Sequence, residues 1–424
     1  AIRINTGHLD HLTQRVVKGG DTLAIVHIYA EPPNYDWLPD DDEGTACVDD
    51  AARAAVFHLR RYRATGDTYH RDAARHLLAF VRYMQDDSGL FYNFVWTDAL
   101  DINVDHPNSL ADQLNWWTAR AVWALGEGVQ VLGDENAEEA ALNRAALHRA
   151  VVHVDTLLER FGEYKQVDGR RMPAWLMYET AADATSELLL GLVAWDAAEG
   201  TPQSAHRIDQ LAQGLAEMRM GSVGEDLRGA HLSYETTWHA WGSSMGQALG
   251  QTSRWPSAQA EADAFFPWLI GSGWAHSFPA SNPDSIRRFE QIAYGVRPVV
   301  GSLAGVFDRT DDDDYAHLAG LAASWLTGNN PAALPMYNSA TGMGYDGISL
   351  RDGQIYRSAN SGAESTIEAL LALHFIQSMP QAWPFALAQP ASDPSETGRT
   401  FQVDGTAWHL ALDAPTNSFS LTSR

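Results

Sequence analysis

Segments that are poor in charge recur along the chain, and each one follows a loop containing acidic, Asn or Ser residues. In the first segment, Val48, Ala52, Ala55, Val56 and Leu59 fall at the spacing of one helix face. Successive segments start 55 to 71 residues apart. The six starts lie near Asp49, Asn108, Glu179, Glu235, Glu290 and Ser361. Such a regular period indicates a fold built from one repeated helical unit.

Stretches with more charge lie between these segments, at 69–85, 135–160, 203–218, 258–269 and 312–326, with 8–17 as a sixth candidate. A helix that is apolar all round is buried, whereas a helix with a charged face is exposed on that side. The alternation therefore predicts six inner and six outer helices. Six inner and six outer helices are typical of an all-α fold, the closed (α/α)6 barrel.

We assign residues 1–390 to this barrel, as the catalytic domain, and residues 391–424 to a C-terminal extension that packs on it. A Pro/Ser-rich stretch precedes 399–412, where two short runs flank Asp404-Gly405. Such a dipeptide between apolar runs predicts a hairpin turn.

Composition and charge exclude several classes of protein. The 424 residues are 45% hydrophobic, which is enough for a large core, and 29 basic against 54 acidic residues give a net charge of −25. That charge repels phosphate backbones and anionic lipids, so we expect neither a nucleic acid nor a membrane as partner. We expect a monomer or weak homo-oligomer. Because the sequence starts at Ala1 without Met, we favour a secreted or periplasmic protein over a cytoplasmic one.

Several motifs resemble the six-hairpin glycosidase superfamily, which includes inverting cellulases, glucoamylases and mannanases. The run EGTACVDDAARA at 43–54 resembles the YC-DDNARAL signature of helical domains found with bacterial sugar-processing enzymes. The runs TGNNP at 327–331, GYDGI at 344–348 and NSGAESTIEALLAL at 360–373 are similar to the closing segment of bacterial six-hairpin proteins. The resemblance implies an (α/α)6 barrel and a carbohydrate substrate.

Carboxylates before the inner helices are the catalytic candidates, because in such a barrel the loops preceding the inner helices gather at one mouth. Six-hairpin cellulases carry an acidic pair early in the chain and a glutamate near the last inner helix. The resemblance therefore implies Asp49 or Asp50 paired with Glu364. Glu179 and Glu235, each in a Tyr-Glu-Thr run, are further candidates. Each of these acids is also placed where a carboxylate caps a helix.

Aromatic residues concentrate near the same helix starts, and the chain has 15 Trp. Sugar rings stack on such faces, whereas a single Trp more often fills a core. The expected substrate-binding residues are Tyr35, Trp37, Trp116, Trp117, Trp238, His239, Trp241, Tyr345 and Asp346. For Asp346, which lies between glycines, a turn is the alternative, and for His239 a structural role.

The sequence thus favours a glycoside hydrolase that cleaves a neutral oligo- or polysaccharide by inversion, with carboxyl groups about 6.5 to 9.5 Å apart. Nucleotide and zinc motifs are lacking, so we expect no cofactor and no metal. Two alternatives stay open. One is a polysaccharide lyase or sugar epimerase on the same fold, for which Arg287, Arg288 and Arg297 with Tyr294 form the available cluster. The other is a non-catalytic carbohydrate-binding protein.

Overall fold

Helices alternate between an inner and an outer position in the computed structural model, which describes residues 2–133, 136–221, 229–413 and 416–423. The inner helices are α2 (Val48–Thr65), α4 (Trp116–Leu132), α6 (Ala182–Glu199), α8 (Met245–Leu249), α10 (Ala293–Thr310) and α12 (Ala363–Ser378). The outer helices are α3 (Thr68–Tyr83), α5 (Ala137–Leu158), α7 (Pro202–Glu217), α9 (Trp255–Gly271) and α11 (Asp313–Ala323).

The inner helices form a closed ring. Each packs against the next along the chain, and α12 packs back against α2. Each charge-rich outer helix packs on the inner helix before it. Nearly every residue of the first turns of α2, including Asp50, is buried, as expected for a helix surrounded by neighbours. The predicted (α/α)6 barrel is confirmed.

Two inner helices start later than the sequence pattern indicated. Near Asn108 the chain forms a short 3₁₀ turn (Pro107–Ser109), and α4 begins only after Asn115, whose side chain caps it by accepting from the Thr118 N–H. The segment at Glu235 first forms a strand, so α8 starts ten residues further on, at Met245, and is short. Proline and a run of aromatic and β-branched residues favour these non-helical starts.

The prediction of a sixth outer helix at 8–17 is wrong. Only α1 (Gly7–Leu12) is helical there, and the chain continues as strand β1 (Thr13–Lys18), which pairs with β2 (Asp21–Val26). Val16 and Val17 favour a strand, and Gly19 and Gly20, both with positive φ, make the turn. Two 3₁₀ turns, Pro380–Ala382 and Phe385–Leu387, follow α12 in place of a long outer helix.

Short antiparallel hairpins fill the loops between the helices. They pair β3 (Tyr29–Glu31) with β4 (Asp36–Leu38), β5 (Ala46–Cys47) with β6 (Phe94–Val95), β7 (Tyr164–Val167) with β8 (Arg170–Pro173), β9 (Thr237–His239) with β10 (Ser277–Pro279), β11 (Tyr337–Asn338) with β12 (Met343–Gly344), and β13 (Ile348–Arg351) with β14 (Gln354–Arg357). A 3₁₀ turn, Ser324–Thr327, extends α11.

The C-terminal part forms a four-stranded antiparallel sheet of β15 (Gln389–Pro390), β16 (Gly398–Val403), β17 (Thr406–Asp413) and β18 (Ser418–Ser423). The predicted hairpin is present, with Asp404 and Gly405 at φ 47° and 78° in its two-residue turn. The sheet packs on α9, and Phe419 contacts Tyr315 of α11. The division of the chain at residue 390 stays a prediction. Of the helices described, none has the length and apolar character that a membrane span requires.

Candidate functional site

The start of α2 positions two neighbouring aspartates in different surroundings. Cys47 precedes the helix, and its sulfur accepts from the Asp50 N–H, which caps the first turn. Consecutive helical residues point about 100° apart. As a result the Asp50 side chain is only 4% exposed, whereas the Asp49 side chain is 19% exposed.

Arg53, one turn further along α2, is the centre of the first charge cluster. Its side chain is 1% exposed and contacts three carboxylates: Asp50 at 3.0 Å, Glu364 at 3.2 Å and Glu368 at 3.0 Å. Glu364 and Glu368 lie one turn apart on α12, which packs against α2. The contact between the first and last inner helices thus brings together the two ends of the predicted site.

A second set of charges extends across the middle of the ring. Arg297 of α10 contacts Glu368 at 2.6 Å and Glu187 at 3.1 Å, and Arg120 of α4 contacts Glu187 at 2.9 Å. The Tyr294 hydroxyl donates to Glu187 at 2.7 Å. We call Arg53, Arg120, Arg297, Glu187, Glu368 and Tyr294 the central network. Although burial alone would raise it, the pKa of Glu187 is lowered because Arg120 and Arg297 stabilise the carboxylate.

A cavity of about 270 Å³ opens above Arg53. We call it the acidic pocket, and its lining consists of Ile28, Tyr29, Glu43, Cys47, Asp49, Asp50, Arg53, Phe94, Asp346, Gly362, Glu364 and Ser365. Five of these residues carry carboxyl groups. Three of the catalytic candidates, Asp49, Asp50 and Glu364, therefore lie in one cavity.

The three carboxyl groups differ in their contacts. Asp50 accepts from Arg53 and from the Cys47 thiol, and burial raises its pKa to about 6, with Arg53 opposing the shift. Asp49 forms an ion pair with Arg120 at 2.5 Å and accepts from Asn93 at 3.0 Å. Glu364 is the most open, with a side chain that is 45% exposed.

The shared contact with Arg53 limits the distance between Asp50 and Glu364. Both carboxylates contact the same atom, Nη2, so their nearest oxygens are no further apart than the sum of 3.0 and 3.2 Å. This bound applies only to the nearest pair of oxygens, whereas the separation of about 6.5 to 9.5 Å in inverting glycosidases is that between the two carboxyl groups. The spacing of Asp50 and Glu364 as an inverting pair therefore stays a prediction.

Glu179 and Glu235 lie in a different cluster. Lys165, on the β7–β8 hairpin, is 2.8 Å from Glu179 and 3.7 Å from Glu235. This positive charge lowers the pKa of Glu179. Neither glutamate lines the acidic pocket. Both have positive φ, 71° and 47°, in the loops that lead to α6 and β9.

Several predicted substrate-binding residues are buried, which corrects their assignment. Trp117 is 6% exposed and donates to the Phe91 carbonyl, while Trp238 is 3% exposed and stacks on Phe278. His239 is 5% exposed and contacts Asp183 at 2.8 Å. These three side chains hold the mouth loops in place and present no open face to a sugar.

Asp346 has a structural role in addition to its place in the lining of the acidic pocket. Its carboxylate accepts from the Gly362 N–H and from the Ser365 hydroxyl, both at 2.8 Å. It therefore fixes the entry to α12, although residues 345–347 form no turn.

The other predicted aromatic residues are partly open. Trp37 is 39% exposed and stacks on His27, and Trp241 is 36% exposed and stacks on His239. Trp116 is half-buried against the Arg120 guanidinium. Tyr35 and Tyr345 are also half-buried, and the Tyr35 hydroxyl donates to the Ala359 carbonyl. None of these five lines the acidic pocket, whose aromatic residues are Tyr29 and Phe94.

The cluster suggested for a lyase does not form an anion site. Arg297 is 0% exposed and Tyr294 is 3% exposed, and both are bonded to Glu187. Arg288 donates to the Ser272 and Trp274 carbonyls. Arg287, by contrast, is exposed, so the four residues do not converge on one site.

The sequence analysis missed Arg53, Arg120, Glu187 and Glu368. A usable signal was present for Arg120 and Glu368, because α4 and α12 each carry only one other charged residue. A charge in such a helix needs a buried partner. The residues Asp49, Arg53, Glu364 and Glu368 are also spaced one turn apart on their helices. Among the residues described, no group of three or more His, Cys, Asp or Glu side chains is arranged to hold a metal ion.

Comparisons with known proteins agree with this architecture. No known protein family and no curated protein matches the sequence. Among solved structures, the chain is similar to a sugar epimerase from a ruminal bacterium (TM-score 0.58, 12% identity, covering 82% of this chain and 91% of that one). It is also similar to cellobiose 2-epimerase from Spirochaeta thermophila DSM 6192 (TM-score 0.50, 13% identity, 84% and 90% covered).

A third similar structure is a glycosyl hydrolase of family 88 from Bacteroides vulgatus (TM-score 0.50, 10% identity, 77% and 90% covered). At these identities the likeness establishes the fold. The chain therefore has the (α/α)6-barrel fold that these three structures share.

Proposed function

We propose that this protein is a carbohydrate-active enzyme that performs acid–base chemistry on a neutral sugar in the acidic pocket, and that the reaction is glycoside hydrolysis. One observation carries the proposal. Two carboxylates of the pocket, Glu364 and Asp49, stay partly open while two different buried arginines hold them. Glycoside hydrolysis needs two carboxyl groups, one to protonate the leaving oxygen and one to activate water or attack carbon.

The contacts of the two groups suggest their roles. Glu364 has one cationic contact and the more open side chain, so it suits the general acid, which must regain a proton from solvent after each turnover. One oxygen of Asp49 is buried in an ion-pair contact with Arg120 without a hydrogen bond, and the other accepts from Asn93, which fixes its orientation. Asp49 suits the base that positions a water, and with Glu364 it is our proposed inverting pair. Asp50 is a positioning residue, because it is bonded to Arg53 and its side chain is only 4% exposed.

A neutral substrate fits the charges of the pocket. Arg53 is the only cation among the lining residues, and it is already shared by three carboxylates. An anionic sugar would meet several carboxylates and no free positive group, so it would be repelled. The Trp116 ring, which packs on the arginine that holds Asp49, offers a nearby face for a sugar ring.

Sugar epimerisation is the second candidate, and the contact that Asp50 and Glu364 share with Arg53 Nη2 favours it. Removing a proton from carbon and returning it needs acid–base groups with pKa values near neutrality, and the pKa of Asp50 is about 6. Two of the similar structures are sugar epimerases. In this case Asp50 and Glu364 would exchange the proton.

One experiment separates the two reactions. The protein is incubated in D₂O with neutral β- and α-linked oligosaccharides, and proton NMR follows the anomeric signals. Hydrolysis yields a new reducing end, and inversion gives the opposite anomer first. Epimerisation instead changes the reducing-end sugar and incorporates deuterium at the epimerised carbon. If no oligosaccharide in a broad panel changes, the catalytic proposal is wrong and a binding function replaces it.

A further inference from the structure

A serine, a histidine and a glutamate lie in line on the outer layer of the barrel. Ser257 Oγ is 2.9 Å from His231 Nε2, and His231 Nδ1 is 2.9 Å from Glu261 Oε2. The two ring nitrogens of His231 thus face a hydroxyl on one side and a carboxylate on the other. We call these three residues the Ser257 site, and none of them lines the acidic pocket.

The local structure explains why these groups meet. Ser257 and Glu261 are four residues apart on α9, so their side chains lie on the same face of that helix. The Glu261 carboxylate also accepts from the His231 backbone N–H at 2.9 Å. The backbone hydrogen bond thus fixes His231 relative to α9, while the contact of its ring Nδ1 with Glu261 Oε2 is a close ion-pair contact without a hydrogen bond.

The three residues of the Ser257 site differ in burial, and the serine is the most exposed of them, as a nucleophile must be. His231 is 0% exposed and Glu261 is 2% exposed, whereas Ser257 is half-buried and can be reached from solvent. The buried carboxylate can stabilise an imidazolium, because low polarity strengthens their attraction. Ser257 also lies in the first turn of α9, where the helix dipole favours developing negative charge.

A helix cap does not account for this arrangement. The N-cap position of α9 is Arg254, and the Ser257 N–H donates to the Arg254 carbonyl. His231 is therefore not needed to cap the start of the helix. An isolated buried histidine needs at most one partner at each nitrogen, but the partner at Nε2 here is a hydroxyl that reaches solvent. A serine, a base and a group that orients the base are the parts of an activated nucleophile.

We propose that the Ser257 site is a second reactive centre, which hydrolyses carboxylic esters with a small acyl group. Ser257 Oγ attacks the ester carbonyl carbon, and its proton moves to His231 Nε2. The C–O bond to the alcohol breaks, and the alcohol leaves with the proton from His231. Water then attacks the acyl-enzyme, again with His231 as base, and releases the carboxylic acid and free Ser257. Glu261 is a positioning residue that holds the imidazole.

Labelling with diisopropyl fluorophosphate tests the proposal. Attack by Ser257 Oγ forms a bond to phosphorus and releases fluoride, and peptide mass spectrometry locates the adduct. The whole protein should be labelled at Ser257 and should release p-nitrophenol from p-nitrophenyl acetate. Ser257→Ala should remove both signals. Ser253→Ala is the matched control, since Ser253 is an exposed serine nearby that contacts no histidine among the described contacts, and it should keep both.

The role of His231 is tested separately. His231→Gln should lower the rate of labelling at Ser257 about 10²-fold to 10⁴-fold, because it removes the general base. If this buried substitution prevents folding, as circular dichroism would reveal, Glu261→Gln tests the same line with a side chain of equal size. Wild-type protein without an adduct at Ser257 would overturn the proposal, as would undiminished labelling of folded His231→Gln or Glu261→Gln protein.

Discussion

Arginines and carboxylates build both the central network and the acidic pocket, but water reaches them differently. In the central network, Arg297, Glu187 and Glu368 have fully buried side chains, and each charge has at least two charged or polar partners. In the pocket, 45% of the Glu364 side chain and 19% of the Asp49 side chain remain exposed.

The difference shows how one set of residue types serves two purposes. Where all charges are paired and buried, removing one leaves its partner without a counter-charge, which is costly. Because the paired charges lie on different inner helices, the cluster holds those helices in register. Where a carboxylate keeps an open oxygen, it can exchange protons with substrate and solvent. Arg53 belongs to both regions, because it contacts Glu368 in the network and Glu364 in the pocket.

Loss of Arg297 should have the largest effect on stability. Arg297→Met keeps much of the side-chain volume but leaves Glu187 and Glu368 each without one buried cation. We expect the free energy of unfolding to fall by about 3 to 5 kcal/mol. Urea unfolding followed by tryptophan fluorescence measures it. Arg160→Met, at a residue with a 40% exposed side chain, is the control and should change stability by less than about 1 kcal/mol. Equal effects of the two would remove the distinction between buried and open pairs.

Asp50 should give a pH-dependent effect of intermediate size. Its pKa is about 6 in the folded protein, against an ordinary value of 3.8, so ionisation of Asp50 opposes folding. Its contribution to stability should fall as the pH rises from about 4 to about 6, by about 3 kcal/mol in total, and should be constant above that range.

Asp50→Asn removes this titration. The stability of the variant relative to wild type should therefore improve over the same pH interval, as urea unfolding at several pH values would measure. A constant difference from pH 4 to pH 7 would show that Asp50 does not titrate in this range.

The smallest effect should come from the Lys165 cluster. Its contacts with Glu179 and Glu235 are exposed to solvent, so Lys165→Met should change the free energy of unfolding by less than about 1 kcal/mol. The pKa of Glu179 should rise when the positive charge is removed, which NMR titration of the carboxyl carbon would detect. A loss of stability comparable to that of Arg297→Met would mean that this cluster is also structural.

The repeat in the sequence was sufficient to predict the barrel. Buried helices carry few charged residues and half-buried helices carry more, so the alternation is visible in the sequence. The start of α8 was not predictable in this way. The residues 237–239 pair with β10, a partner 40 residues away, and no local pattern records such a pairing. The absent sixth outer helix has a local cause instead, because β1 pairs with β2 across the Gly19-Gly20 turn, a hairpin signal present in the sequence.

The site was predictable in part. Asp49, Asp50 and Glu364 were found through the resemblance of their motifs, and they do share one cavity. Which aromatic residues stay open was not predictable, because Trp116 and Trp117 are adjacent in sequence and only their position on α4 makes one half-buried and the other buried. The contact of Lys165 with Glu179 and Glu235 was not predicted. The β7–β8 hairpin places the Lys165 ammonium next to both carboxylates.

The central claim is that the open carboxylate of the acidic pocket performs the chemistry. Its most direct test is the turnover rate of Glu364→Gln on the sugar that the wild-type protein converts, compared with that of Glu179→Gln. Glu179 is similarly exposed, with 49% of its side chain accessible, but lies in the Lys165 cluster. We predict that Glu364→Gln lowers the rate about 10²-fold to 10⁴-fold with little change in stability, and that Glu179→Gln stays close to wild type. Full activity of Glu364→Gln, or loss of activity in Glu179→Gln alone, would contradict the account.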